Sequence, residues 1–135
     1  MIEDETYVSP WLSPPLERGR LIEKYFGAKG DNSPVVDLVE NGVATSIKSL
    51  DLRATTYQSS SKLESKLKGY INKVAKYDGG KFGDGRVTVG TDFTERSLLL
   101  ALPEGSATQA QQQVLSKMFS YAMNNGVRLD VRFVK

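Results

Sequence analysis

Asn41-Gly42, set between the runs Pro34-Val35-Val36-Asp37-Leu38-Val39-Glu40 and Val43-Ala44-Thr45-Ser46-Ile47-Lys48, constrains this chain more than any other feature. A type I′ turn needs positive φ at both central residues, and Asn-Gly takes that conformation at low cost, so the two runs are expected to form a β-hairpin. A two-residue loop also sets the register. Glu40 then opposes Val43, Val39 opposes Ala44, Leu38 opposes Thr45, Asp37 opposes Ser46, Val36 opposes Ile47 and Val35 opposes Lys48. Alternate strand residues share a face, so Asp37, Ser46 and Lys48 are expected on one side of the sheet.

Helices and further strands are expected around this hairpin. Ser13 as N-cap, Pro14 at the first helical position and Gly27 as the stop bound a helix whose apolar stripe is Leu21, Ile22, Tyr25 and Phe26. Glu23 falls at the border of that stripe, where a carboxylate can face solvent or a cleft. Residues 61–77 read as a second helix, opened by a Ser61/Glu64 capping box and closed by Asp78-Gly79-Gly80. Leu63, Leu67, Tyr70, Ile71, Val74 and Tyr77 form its expected buried stripe, with Tyr57, Tyr70 and Tyr77 read as core or staple residues. Strands are expected at 86–91 and 97–102, the second apolar on both faces and therefore central. A Gln-rich helix over 107–124, with Val114, Leu115, Met118 and Ala122 inward, leads to a last strand over 127–134. The expected class is α+β with a central mixed sheet flanked by helices, in the order α-β-β-α-β-β-α-β.

The 135 residues make one domain, and no apolar run approaches the roughly 20 residues of a membrane-spanning helix, so no stable membrane insertion is expected. Residues 1–13, with Glu3, Asp4 and Glu5 and a Ser-Pro-rich stretch, read as a linker or the cut edge of a larger protein, and 14–135 as the domain proper. Cys and His are both absent, which removes disulfides, thiolate zinc sites, Ser-His-Asp and Cys-His triads and imidazole metal sites. Catalysis would have to rest on carboxylates, Lys, Arg, Tyr, hydroxyls or a metal held through oxygen. The net charge of +2 is mild, but residues 53–86 hold eight basic side chains against three acids. Lys62, Lys66, Lys73 and Lys76 fall within about 80° on one helix face. Such a stripe is either a solvated face or a phosphate grip.

An acid on one strand, a short hairpin, and a lysine two residues past a polar position is the layout of the PD-(D/E)xK nuclease core. Here the acid is Asp37, and Ser46-Ile47-Lys48 follows, with Ser46 where the pattern carries Asp or Glu. The chemistry needs carboxylates to hold a divalent metal beside the scissile phosphate and an ammonium to stabilise the attacking water or the developing charge. Glu23 is the natural second carboxylate. A strand Asp beside a Lys is also a common surface pair, and on these residues alone both readings stand.

Gly19-Arg20-Leu21-Ile22-Glu23-Lys24-Tyr25-Phe26-Gly27, Pro34-Val35-Val36-Asp37, Gly42-Val43-Ala44-Thr45-Ser46-Ile47-Lys48-Ser49-Leu50-Asp51-Leu52 and Lys68-Gly69-Tyr70-Ile71-Asn72-Lys73-Val74 together resemble the C-terminal nuclease domain of bacterial contact-dependent growth inhibition (CDI) toxins. The resemblance runs from about residue 19 to the C-terminus. It implies a type IIS restriction-endonuclease-like fold and cleavage of DNA or tRNA with a divalent metal, Zn2+ or Mg2+/Mn2+. It further implies an active site of Glu23, Asp37, Ser46 and Lys48, with the metal on Glu23 and Asp37. The lysines 62, 66, 73 and 76 would grip nucleic acid, and the low net charge favours tRNA over DNA. A cognate immunity protein is implied, as is delivery as the C-terminal part of a secreted or cell-surface effector that acts in the target-cell cytoplasm. The competing reading is a non-catalytic nucleic-acid- or protein-binding module on the same residues.

Overall fold

The structure, a computed structural model, describes residues 9–28 and 35–135. Its elements are α1 (Pro15–Tyr25), β1 (Leu38–Glu40), β2 (Gly42–Ser49), α2 (Ser60–Ala75), β3 (Gly79–Phe82), β4 (Gly85–Thr88), β5 (Phe93–Pro103), α3 (Gln109–Asn124) and β6 (Val127–Val134), with short 3-10 turns at Pro10–Leu12 and Thr55–Gln58. The main sheet runs β1-β2-β5-β6; β1 pairs antiparallel with β2, and β2-β5 and β5-β6 pair parallel. The expected mixed sheet is therefore present, and β5 is one of its two inner strands. Both parallel pairs need a crossover, which α2 and α3 supply. Because the strand order advances in one direction, two crossovers of the same hand lie on the same face.

The two faces divide the core. Leu98, Leu100 and Leu102 point to the α2/α3 side, where they meet Leu63, Leu67, Ile71, Val74, Val114, Leu115 and Met118. Ile47 and Ala101 point to the other side, packed with Ile22 of α1, Val134 and Trp11. Each fully buried leucine contributes about 2 kcal/mol of apolar transfer, so the larger cluster carries most of the cohesion. Glu64 adds a polar link between the crossover helices, pairing with Lys117 on α3 and with Lys68. Tyr121 Oη donates to Asn72 Oδ1 at 2.6 Å across the same interface.

The hairpin register is observed as expected for Glu40↔Val43, Val39↔Ala44 and Leu38↔Thr45, with Asn41 at φ 53° and Gly42 at φ 78°. It ends there. The expected pairings of Asp37 with Ser46, Val36 with Ile47 and Val35 with Lys48 do not form, because Asp37 leaves the ladder. Its own N–H donates to the Thr45 carbonyl at 2.8 Å, while its carboxylate takes the Ile47 N–H that a continuing strand would have used. Pro34 lies outside the described residues.

Other boundaries differ for local reasons. Helix α1 begins at Pro15, with Pro14 rather than Ser13 as N-cap, and stops at Tyr25, whose ring stays exposed and edge-on to Phe26. Helix α2 is capped by Ser59, whose hydroxyl accepts from Lys62 N–H, so the Ser61/Glu64 box is not formed and Glu64 reaches α3 instead. The segment expected only to stop that helix, Asp78-Gly79-Gly80, goes straight into β3. This extra strand pairs with β4 through a Gly83-Asp84 turn and makes the observed order α-β-β-α-β-β-β-α-β. Glycine-rich β3 carries no apolar alternation to reveal it; a Cβ at Gly79 would strike the Val87 carbonyl. The Gly-Asp loop between Phe82 and Gly85 is the signal that could have disclosed the hairpin.

Part of the expected linker, residues 1–8, lies outside the described residues. Residues 9–13 are docked on the domain: Trp11 is buried, and its Nε1 donates to the Val134 carbonyl at 2.8 Å. Trp11 covers Val134, which is why Val134 is buried while Phe133, on the other face, stays half exposed. No helix among the described residues is long and apolar enough to cross a membrane.

Candidate active site

Three elements converge where the β1-β2 ladder ends. Lys48 and Ser46 alternate on β2 with Ile47, and their partners Leu100 and Leu98 on β5 place both on the α2 side of the sheet. Ile47 faces α1, whose Ile22 packs on it and whose next residue is Glu23. Asp37 sits at the junction. Its Oδ2 accepts the Ile47 N–H at 2.7 Å, so the carboxylate is held against the main chain of β2 where β1 no longer pairs with it.

There Asp37 also shares a hydrogen bond with the Glu23 carboxyl and feels the charge of Lys48. Its acidity reflects these neighbours. Burial raises the carboxyl above its ordinary range, and the Ile47 N–H, the Lys48 ammonium and the Glu23 contact each pull it back in part. Of the four expected active-site residues the structure thus brings Glu23, Asp37 and Lys48 together. Ser46 is 1% exposed, buried one strand pair inward on the Lys48 face.

The donor set suits a hard divalent cation. Glu23 and Asp37 offer oxygen only, one Asp37 oxygen is oriented by a main-chain donor, and the chain contains no nitrogen or sulfur ligand from His or Cys. Among the described residues no cluster of three or more His, Cys, Asp or Glu side chains occurs, so of these residues Glu23 and Asp37 are the pair that would hold a cation.

A groove of about 490 Å³ lies along α2. Its lining includes Lys62, Lys66 and Lys73 from the expected lysine stripe, together with Gly69, Tyr70 and Tyr57. Lys76, the C-cap residue of α2, is exposed but is not part of the lining. Tyr70 joins groove and site: the Lys48 ammonium lies 5.8 Å from its ring centre and the Lys66 ammonium 5.3 Å. Burial, and to a smaller degree Tyr57, push the Tyr70 hydroxyl up to about 12, so it remains a proton donor. Three further cations are committed elsewhere. Arg53 is paired with Asp51, Arg132 with Asp130, and Arg96 with Asp78 and the Tyr77 carbonyl.

Gln111 is a residue that sequence patterning does not single out. It is 1% exposed, and its Nε2 donates to the carbonyls of Leu52 and Tyr57 at 2.9 Å each. It therefore pins the 3-10 turn that brings Tyr57 to the groove. An interior-facing polar residue in the first turn of α3, in register with Val114, Leu115 and Met118, is the signal that could have found it.

A mixed sheet with two same-face crossovers and an acidic helix-strand site defines the restriction-endonuclease-like class. The chain belongs to the family of CDI toxin restriction endonuclease-like domains, whose family model matches residues 18–132. A solved structure described as a CdiA-CT/CdiI toxin and immunity complex from Yersinia pseudotuberculosis is similar, at 26% identity and a TM-score of 0.70, over 84% of this chain and 98% of that one. Among curated proteins, none matches significantly.

Proposed function

We propose that this domain is a metal-dependent nuclease toxin of a contact-dependent growth inhibition system, hydrolysing phosphodiester bonds in target-cell nucleic acid, with tRNA favoured over DNA. The observation that carries the reading is the half-buried Glu23–Asp37 carboxyl contact within the field of Lys48, whose ammonium lies 5.8 Å from the ring of Tyr70 in the lysine-lined groove. Glu23 and Asp37 would hold the divalent cation, and the all-oxygen donor set favours Mg2+ or Mn2+ over Zn2+. When bound, such a cation supplies Lewis-acid activation of water and of the scissile phosphate.

The chain's own groups do the rest. Asp37, oriented by the Ile47 N–H, keeps the ligand oxygens in place without relying on a flexible side chain. Lys48 stabilises negative charge that develops on the phosphate. Ser46, on the same face but buried, would position a water only from the interior side of the site. Lys62, Lys66, Lys73 and Lys76 hold flanking phosphates, an electrostatic and sequence-independent grip.

The similarity to a toxin–immunity complex supports a cognate immunity protein as partner, and family membership supports a role as the C-terminal part of a secreted or cell-surface effector that acts in the target-cell cytoplasm. The test is cleavage of total tRNA and of plasmid DNA with and without EDTA, for the unmodified protein, Asp37→Asn and Lys48→Ala. Cleavage is expected to vanish with EDTA and in both variants, while Lys48→Ala still binds metal. Cleavage by Asp37→Asn at the unmodified rate, with EDTA harmless, would overturn the mechanism in favour of chemistry elsewhere. Nucleic-acid binding without cleavage under any condition would return the domain to a binding module.

A further inference from the structure

The groove along α2, which Tyr70 links to Lys48, differs from a simple phosphate-gripping face in two respects. First, its walls are aromatic. Tyr70 and Tyr57 both line it, and they lie close enough for Tyr57 to act on the Tyr70 hydroxyl. Second, Gly69 lines it in the middle of α2. A glycine inside a helix is unfavourable relative to alanine, and here no packing requires it: a Cβ at Gly69 would meet nothing within 4 Å. The missing side chain leaves helix backbone bare on the groove floor, between the lysines at positions 66 and 73.

A duplex presents its phosphates outward and its bases stacked inside, so it can use the lysines but not the tyrosines. From the aromatic walls, the bare helix floor and the basic rim we infer that this groove receives one unpaired nucleotide of a single strand, its base on Tyr70 and its backbone against Gly69, next to the phosphate held at Lys48. The inference rests on the nuclease reading above and narrows its substrate to sites with an unstacked nucleotide beside the cleaved bond. In the free protein the Lys66 ammonium lies over the Tyr70 ring; its side chain is exposed and moves to a phosphate when a base takes that place. Stacking on an aromatic ring tolerates any base, so the site selects unpaired structure and not sequence.

The experiment is equilibrium binding of short single-stranded RNA, single-stranded DNA and the matching duplexes in EDTA, with the oligonucleotides confirmed intact afterwards. The unmodified protein is expected to bind a single strand at least about tenfold more tightly than its duplex. Tyr70→Ala should weaken single-strand binding by about tenfold and duplex binding little, while Tyr70→Phe, which keeps the ring, stays within about twofold. Gly69→Ala should raise Tm, through helix propensity, and yet weaken single-strand binding several-fold. That combination separates a ligand-facing glycine from a structural one. Whichever of RNA or DNA shows the larger effect identifies the substrate's sugar.

Equal affinity for single strands and duplexes would overturn the inference. So would Tyr70→Ala and Gly69→Ala variants that bind single strands like the unmodified protein. If no oligonucleotide binds at all, the nuclease reading fails. If duplexes bind and only lysine variants weaken them, the inference fails alone.

Discussion

Replacing Gln111 by Leu tests how the fold holds the groove open. The substitution keeps a side chain of comparable length but removes three hydrogen bonds: Nε2 to the Leu52 and Tyr57 carbonyls at 2.9 Å, and Oε1 from the Thr108 N–H at 3.0 Å. The three are not equal. The Leu52 carbonyl keeps a second donor, Gln58 Nε2 at 2.9 Å, and the Gln111 N–H still reaches Thr108 Oγ1. The Tyr57 carbonyl and the Thr108 N–H are deprived of the side-chain partners they have here. At about 2 kcal/mol for each of these two groups left unsatisfied, with the leucine's apolar burial returning part of it, the net cost is about 2–3 kcal/mol. A chain of 135 residues unfolds with an entropy of about 0.28 kcal/mol/K, so Tm should fall by about 7–11 °C.

Thermal unfolding by circular dichroism measures this directly. Gln58→Leu, which removes only the redundant bond to Leu52, serves as the comparison and should change stability by less than about 0.5 kcal/mol. Because Gln111 holds the turn bearing Tyr57, Gln111→Leu should also weaken nucleic-acid binding at temperatures where the protein remains folded. A fall in Tm of less than about 2 °C would show that the turn is held by packing and that the hydrogen-bond reasoning is wrong.

Asp37→Asn should be at least as stable as the unmodified protein at neutral pH in EDTA, since burial raises the Asp37 carboxyl in the folded state. A raised carboxyl binds its proton more tightly when folded, so its favourable contribution is present at low pH and is lost as pH rises through the folded value. The stability gap between variant and protein should therefore close on acidification; denaturant unfolding against pH checks it, and a variant less stable at neutral pH would contradict the assignment. Adding Mg2+ or Mn2+ should stabilise the unmodified protein and not Asp37→Asn, read as a shift in Tm. Lys66→Ala with Lys73→Ala should reduce the slope of log affinity against log salt by about one for each phosphate no longer neutralised, and an unchanged slope would make those lysines a solvated face.

Short-range chemistry in the sequence determined a good deal of this protein. The Asn41-Gly42 turn dictated the hairpin and its first three pairs, because two residues at positive φ leave one register open. Apolar periodicity placed the buried faces of α2 and α3, and the doubly apolar run around Leu98 to Leu102 marked β5 as an inner strand. The absence of His and Cys limited the site to oxygen and ammonium chemistry before any coordinate was known. Spacing brought Asp37, Ser46 and Lys48 into consideration with Glu23 as a second carboxylate, and the family resemblance gave the four their roles.

What the sequence could not carry were contacts between groups far apart in the chain. Asp37's departure from the ladder depends on a side chain replacing a main-chain acceptor for Ile47, which no periodicity records. Trp11 lies in an acidic, proline-broken stretch, and only the Val134 carbonyl, 123 residues away, gives its indole a buried partner. β3 is written in glycines and draws its strand geometry from β4. Glu64 looked like a local helix cap and instead binds Lys117 on α3. Tyr70 looked like core, and folding set it between Lys48 and Lys66, one edge on the apolar cluster and one face on the groove. In each case several local arrangements have similar energy, and the choice among them falls to a partner that only the packed fold brings within reach.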